Sequence, residues 1–134
     1  MTVDDCRIIM LPEVFSENGN LIVIEGIKHI PFEVKRIFYL YDVPSYAKRG
    51  SHAHKHCQQF IIALSGSFEI YLDDACQKKD LWLNNAFFGL YVPSMIWCEL
   101  GNFGGGSICL VLASDPFDES DYIRDYEDFV KAAQ

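Results

Sequence analysis

Between Leu21 and Ser114 the chain runs as short apolar or alternating segments separated by turn residues. Breaks at intervals of about eight to twelve residues are the pattern of a β-sandwich or barrel and leave little room for helix. The predicted strands are LIVIE (21–25), VKRIFYLY (34–41), QQFIIAL (58–64), SFEIYLD (67–73), DLWL (80–83), AFFGLYV (86–92), MIWCEL (95–100) and SICLVLAS (107–114). In the second, Val34, Arg36, Phe38 and Leu40 alternate with Lys35, Ile37, Tyr39 and Tyr41, so Tyr39 and Tyr41 share one face. Ser65-Gly66 separates two runs by the spacing of a tight hairpin, with glycine free to take positive φ. Asn84-Asn85 and Gly104-Gly105-Gly106 mark further turns, and Asp42 to Ser51 reads as a loop. Leu21, Ile22, Val23 and Ile24 are continuously apolar, as in a strand covered on both faces.

Only the C-terminal stretch changes period. Tyr122, Ile123, Tyr126, Phe129 and Val130 form one helical face, predicting a helix over about 118–132 capped by Asp118 or Ser120. The acids clustered there, Asp115, Asp118, Glu119, Asp121, Asp125, Glu127 and Asp128, then read as its solvated side and first turn, where the helix dipole favours them.

A length of 134 residues predicts a single domain, 1–134. The net charge of −8 argues against a general nucleic-acid binder. Five cysteines without CxxC spacing suggest reduced thiols rather than a disulfide framework. No run reaches the ~18 apolar residues of a membrane span, and MTVDDCRIIM lacks the basic start of a secretion signal, so the expectation is a cytoplasmic, soluble protein without a membrane partner.

The dense basic cluster Lys48, Arg49 and Lys55 frames three of the four histidines in KRGSHAHKHCQQ. His52 and His54, two apart at the start of a strand, point to the same side. His56 continues the parity, and His29 precedes Ile30-Pro31 in a loop. The pair has three readings: metal ligands, acid/base groups without metal, or hydrogen-bonded histidines inside a barrel. Zinc or iron would need further histidine or carboxylate ligands, which are missing nearby.

Gly50, His52-Ala53-His54, Gln59 and Gly66 resemble the first cupin motif, with Gln59 where the metal site has glutamate. Pro93 and Asn102 fall in the register of the second motif, with Cys98 in place of its histidine. A wider resemblance rests on IPFEVKRIFYLYDV, RGSHAHK, GLYVPSMIW and, most specifically, LVLASDPFDESDYIRDYEDF. These are similar to the WxcM-like, FdtA-type sugar 3,4-ketoisomerases, small dimeric cupins acting on dTDP-4-keto-6-deoxyglucose. This chain has Asn18-Gly19 where that family usually has Arg-Gly, and Cys98 where it usually has histidine.

The resemblance implies an all-β fold, a single RmlC-like jelly-roll barrel with a short C-terminal helix. It implies transfer of a ketone from C4 to C3 of the sugar through an enediol, with no metal and no cofactor. His54 is the expected base and His52 its partner or a ligand of the sugar oxygens. Tyr39 would bond the carbonyl or enolate oxygen, Arg49 and Lys55 the pyrophosphate, and Gln59 and Tyr91 would make polar contacts in the barrel. Cys98, a thiol with an ordinary pKa of about 8.5, would donate a proton or be inert. The implied partners are a dTDP-linked 4-keto-6-deoxyhexose and a second copy of the chain, with N-terminal strand exchange. A sugar-nucleotide-binding cupin without turnover and a metal-binding cupin are the alternatives.

Overall fold

The computed structural model describes residues Met1–Gln134. A 3-10 turn at Val3–Asp5 leads into β1 (Arg7–Met10), followed by a small ribbon of β2 (Glu13–Val14) and β3 (Leu21–Ile22). The central strands are β4 (Arg36–Tyr41), β5 (Arg49–His54), β6 (Gln59–Ser65), β7 (Phe68–Asp73), β8 (Lys78–Leu83), β9 (Phe88–Val92), β10 (Trp97–Gly101) and β11 (Ile108–Ala113). A 3-10 turn at Glu119–Asp121, the short β12 (Tyr122–Ile123) and α1 (Tyr126–Ala133) complete the chain. Two five-stranded sheets, ordered β1-β9-β6-β11-β4 and β12-β5-β10-β7-β8, pack as the expected jelly-roll barrel with antiparallel neighbours throughout.

Alternation along each strand divides the apolar residues between two layers. Ile61 and Ala63 of β6, Ile70 and Leu72 of β7, Cys98 and Leu100 of β10, and Cys109 and Val111 of β11 meet between the sheets. The intervening Phe60, Ile62 and Leu112 face outward, where Ile30 and Phe32 of the segment before β4 cover them. Burial on both faces explains why QFIIAL reads as an unbroken apolar run. On the other sheet, Phe129 of α1 packs with Ala53, Trp97 and Ile123. No helix is long and apolar enough to cross a membrane.

Several expectations are corrected. Ser65-Gly66 does not close a hairpin: β6 and β7 lie in different sheets, so the two-residue link is a corner between layers. Gly66 does take positive φ (72°), and a Cβ there would lie 2.4 Å from Ser107 Oγ. The paired hairpin is β7–β8. LIVIE contributes only Leu21–Ile22 to a strand, β1 arises where no strand was predicted, and the strand carrying His52 and His54 begins at Arg49, inside the predicted loop. The terminal helix begins at Tyr126, not near 118, because Asp125 accepts from Asp128 N as its cap. The preceding acids instead form the 3-10 turn, capped by Asp118, and β12 lies along β5.

Candidate active site

A cavity of about 100 Å³ lies between the sheets. Phe38 and Leu40 of β4, Ile61 of β6 and Val111 of β11 form its apolar walls, and its polar groups are Arg49, His52, Gln59 and Cys98. Strict alternation along β5 would place Arg49 and His52 on opposite faces. A bulge brings them together: Cys98 pairs with His52 and Glu99 with Gly50, leaving Ser51 as the extra residue. Gly50 and Ser51 both take positive φ (85° and 58°). Glycine is required at position 50, where a Cβ would come within 2.9 Å of the Cys98 carbonyl oxygen.

The two imidazoles meet edge to face, with ring centroids 5.0 Å apart. His52 Nδ1 lies 3.1 Å from the Gly50 carbonyl oxygen. A carbonyl only accepts, so Nδ1 carries the proton and Nε2 keeps its lone pair. His54 is buried, and its Nδ1 donates to Asp121 Oδ2 over 3.0 Å. Its Nε2 is 3.3 Å from Gln59 Nε2, so the amide N–H donates to the imidazole lone pair. Asp121 also accepts from His56 N at 2.8 Å and Cys57 N at 3.2 Å. Burial alone would raise the Asp121 carboxyl, but these N–H donors together hold it below the usual range.

Burial, reinforced by His54, pushes the pKa of His52 down to about 4, against the opposing pull of the Gly50 carbonyl. Burial also lowers His54, although Asp121 opposes it. Both imidazoles are therefore free bases at neutral pH. Tyr122, paired in register with His54, lies against both rings at centroid distances of 4.9 and 4.3 Å.

The remaining expected residues divide. Arg49, Gln59 and Cys98 join His52 on the cavity wall, and His54 stands next to Gln59. The Cys98 thiol is buried, which pushes its pKa well up, and it stays protonated. Tyr39 does not reach the cavity: the inward set of β4 is Arg36, Phe38 and Leu40, and Tyr39 is 60% exposed on the outer face beside Tyr41. Tyr91 lies in the outer apolar layer, where its hydroxyl donates to Gln58 Oε1 at 2.5 Å. Lys55 lies just past β5 in a surface hollow with Tyr122, Arg124 and Asp128, away from Arg49. Asp121, Tyr122 and Arg36 were missed as site residues. The signal that could have found the first two was the specificity of the DESDYIRDY stretch.

The residues do not fit the metal of a cupin centre. Gln59, a neutral amide, presents its N–H to the His54 Nε2 lone pair, and the other His54 ring nitrogen is held by Asp121. His54, Cys57 and Asp121 bring donor atoms within 4.8 Å of one another. There, however, three N–H groups occupy the Asp121 oxygens, one of them from His54 itself.

The chain matches the family model FdtA, "WxcM-like, C-terminal", over residues 4–134. It is 38% identical over 125 residues to the TDP-4-oxo-6-deoxy-alpha-D-glucose-3,4-oxoisomerase of Aneurinibacillus thermoaerophilus, covering 93% of this chain and 90% of that one. A 3,4-ketoisomerase from Helicobacter canadensis superposes with a TM-score of 0.94 at 42% identity, covering 96% of this chain and 97% of that one. The 3,4-ketoisomerase QdtA from Thermoanaerobacterium thermosaccharolyticum was solved as a histidine-to-asparagine mutant with TDP-4-keto-6-deoxyglucose. It superposes with a TM-score of 0.93 at 37% identity, covering 96% of this chain and 93% of that one. With its jelly-roll barrel and paired histidines, the chain belongs to the FdtA, WxcM-like family.

Proposed function

We propose that this protein is a dTDP-sugar 3,4-ketoisomerase that moves the keto group of dTDP-4-keto-6-deoxyglucose from C4 to C3. The observation that carries this reading is the free-base imidazole of His52 on a cavity wall, in edge contact with an imidazole anchored by a carboxylate. His52 Nε2 takes the C3 proton while the C3–H electron pair forms the C3–C4 double bond and the C4 carbonyl becomes an enolate oxygen. That oxygen takes up a proton to give the enediol. Loss of the O3 proton then forms the C3 carbonyl as C4 receives a proton, so the sugar is isomerised with no net redox change. Acid/base groups placed in this way typically contribute about 10²–10⁴-fold.

The cavity geometry favours His52 over His54 as the group that meets the sugar. His54, with Asp121 behind it, fixes the orientation of the pair. Gln59 is in place to contact a sugar oxygen, and Arg49 has the planar fork suited to the diphosphate. The protonated Cys98 can donate a hydrogen bond but cannot serve as the base. Sugar-nucleotide binding without turnover is less favoured, since binding alone gives no role to a carboxylate-anchored imidazole pair.

The chemistry of a 3-keto product suits transamination to a 3-amino-3,6-dideoxyhexose for surface glycans such as O-antigen. The protein is a cytoplasmic homodimer in this reading. Its five free cysteines suit a reducing compartment. Exposed Val14, Phe15 and Leu21 on the β2–β3 ribbon offer an apolar surface for N-terminal strand exchange with a second copy, and a two-stranded ribbon is marginal by itself. The activity is tested by coupling the purified protein to a sugar 3-aminotransferase. An aminated dTDP-sugar is expected, and its absence with folded protein would overturn the proposal.

A further inference from the structure

Arg36 is the charged group that the proposed chemistry leaves without a role. Its Nε is buried and has no hydrogen-bond partner. The guanidinium lies over Phe38 at 5.3 Å and Phe117 at 5.6 Å, and no carboxylate pairs with it. Arg124, by contrast, is held by both oxygens of Glu119, at 2.7 and 3.0 Å. Arg36 is half-buried, and although the two rings favour its charge, a buried N–H without a partner is costly. The one side chain to which Arg36 donates is Tyr122, through Nη2 to the hydroxyl at 3.4 Å, and Tyr122 is the ring lying against both His52 and His54.

We infer that Arg36 is a positioning residue of the ketoisomerase site: through the Tyr122 hydroxyl it fixes the phenol ring against His52 and His54, and its guanidinium adds a positive charge beside the pair. The inference rests on the proposed isomerase function for its meaning but not for its test. The charge of Arg36 lowers both histidines, after burial in each case and, for His52, after the neighbouring His54 and Arg124 as well. The other groups facing the pair are Arg49 of β5, Asp121, Glu119 and Arg124 on the segment around β12, together with Tyr122, Gln59 of β6 and Cys98 of β10. Glu119 and Arg124 compensate each other, Asp121 is engaged by His54 and two backbone N–H groups, and Gln59 and Cys98 are uncharged. Arg36 and Arg49 are thus the cations of the set without a carboxylate partner, and of the two Arg36 is the one that reaches Tyr122.

Histidine titration followed by NMR, which needs no turnover, provides the test, alongside steady-state kinetics. In Arg36→Met the midpoints of His52 and His54 are expected to rise, and kcat to fall by about tenfold. In Arg36→Lys, which keeps the charge but loses the fork, the midpoints stay low and kcat falls by about tenfold with little change in KM. Unmoved midpoints in folded Arg36→Met would overturn the inference, as would wild-type kcat in Arg36→Lys, which remains decisive if Arg36→Met does not fold. Shifted midpoints in a protein without isomerase activity would instead sink the proposed function and leave the electrostatic role of Arg36 standing. Unmoved midpoints with intact turnover would do the reverse.

Discussion

His54 Nδ1 donates to Asp121 Oδ2 over 3.0 Å, joining the last residue of β5 to a turn 67 residues further along the chain. A carboxylate accepts and cannot donate, so this contact fixes the imidazole tautomer as well as its plane. The same carboxylate takes N–H groups from His56 and Cys57, so one side chain holds the imidazole and ties down the backbone just after β5. Asparagine at position 121 cannot satisfy all three donors and can present its own N–H to His54. Asp121→Asn is therefore expected to lower kcat by about 10²-fold, with a smaller change in KM, and to lower the melting temperature. Steady-state kinetics and thermal melting check this, and an unchanged kcat would contradict the orienting role.

The pH dependence follows from the buried imidazoles. His52 takes a proton near 6.5 when unfolded but only near 4 in the folded chain, and His54 is lowered as well. Between those two values the unfolded chain binds more protons, so stability is fully present above pH 6.5 and is lost as pH falls toward 4. Melting temperature should drop over this window, and the drop should be smaller in His52→Gln. On the same grounds, the acidic limb of kcat/KM for the free enzyme should fall near 4 rather than 6.5. A limb near 6.5 would mean that the base is exposed to solvent.

Cys98 lies opposite His52 in the strand register, yet its thiol holds its proton. Cys98→Ala should keep kcat within about threefold, while the small cavity left in the core costs about 1 kcal/mol of stability. A loss of activity far beyond this, with an intact melt, would make the thiol a participant in proton transfer.

Tyr39 sits on the outer face of β4, and Tyr91 in the outer layer against β6. Tyr39→Phe and Tyr91→Phe should each leave kcat within about twofold, Tyr91→Phe with some loss of stability from the freed Gln58 amide. A large kcat defect in Tyr39→Phe would show that this face meets the substrate.

The strands from QQFIIAL onward were legible because apolar runs bounded by turns survive in the folded barrel, and the HAH pair was legible because period two keeps both rings on one side. Tyr39 shows the limit of that signal. VKRIFYLY is apolar on both faces, so alternation grouped Tyr39 with Tyr41 correctly but could not say which face meets the cavity. The first half of β5, Arg49 to Ser51, was hidden in the loop before the histidines because it is polar and bulged, and the bulge at Ser51 is what brings Arg49 beside His52. Ser65-Gly66 announced a turn, but a turn does not specify pairing, and here the chain changes sheets. Asp121 was obscured by its neighbours: within DESD it reads as one more solvated acid. Its role depends on a non-periodic 3-10 turn docking against β5, a contact between distant segments that no local pattern carries.

The proposed role of His52 is to move protons on a 4-keto sugar. It is tested most directly by incubating the protein with dTDP-4-keto-6-deoxyglucose in deuterium oxide and following C3 and C4 by NMR. Loss of the C3 proton signal as the 3-keto sugar forms is expected in the wild type, and neither change in a folded His52→Asn variant. No isomerisation by the folded wild type, or undiminished turnover in His52→Asn, would contradict it.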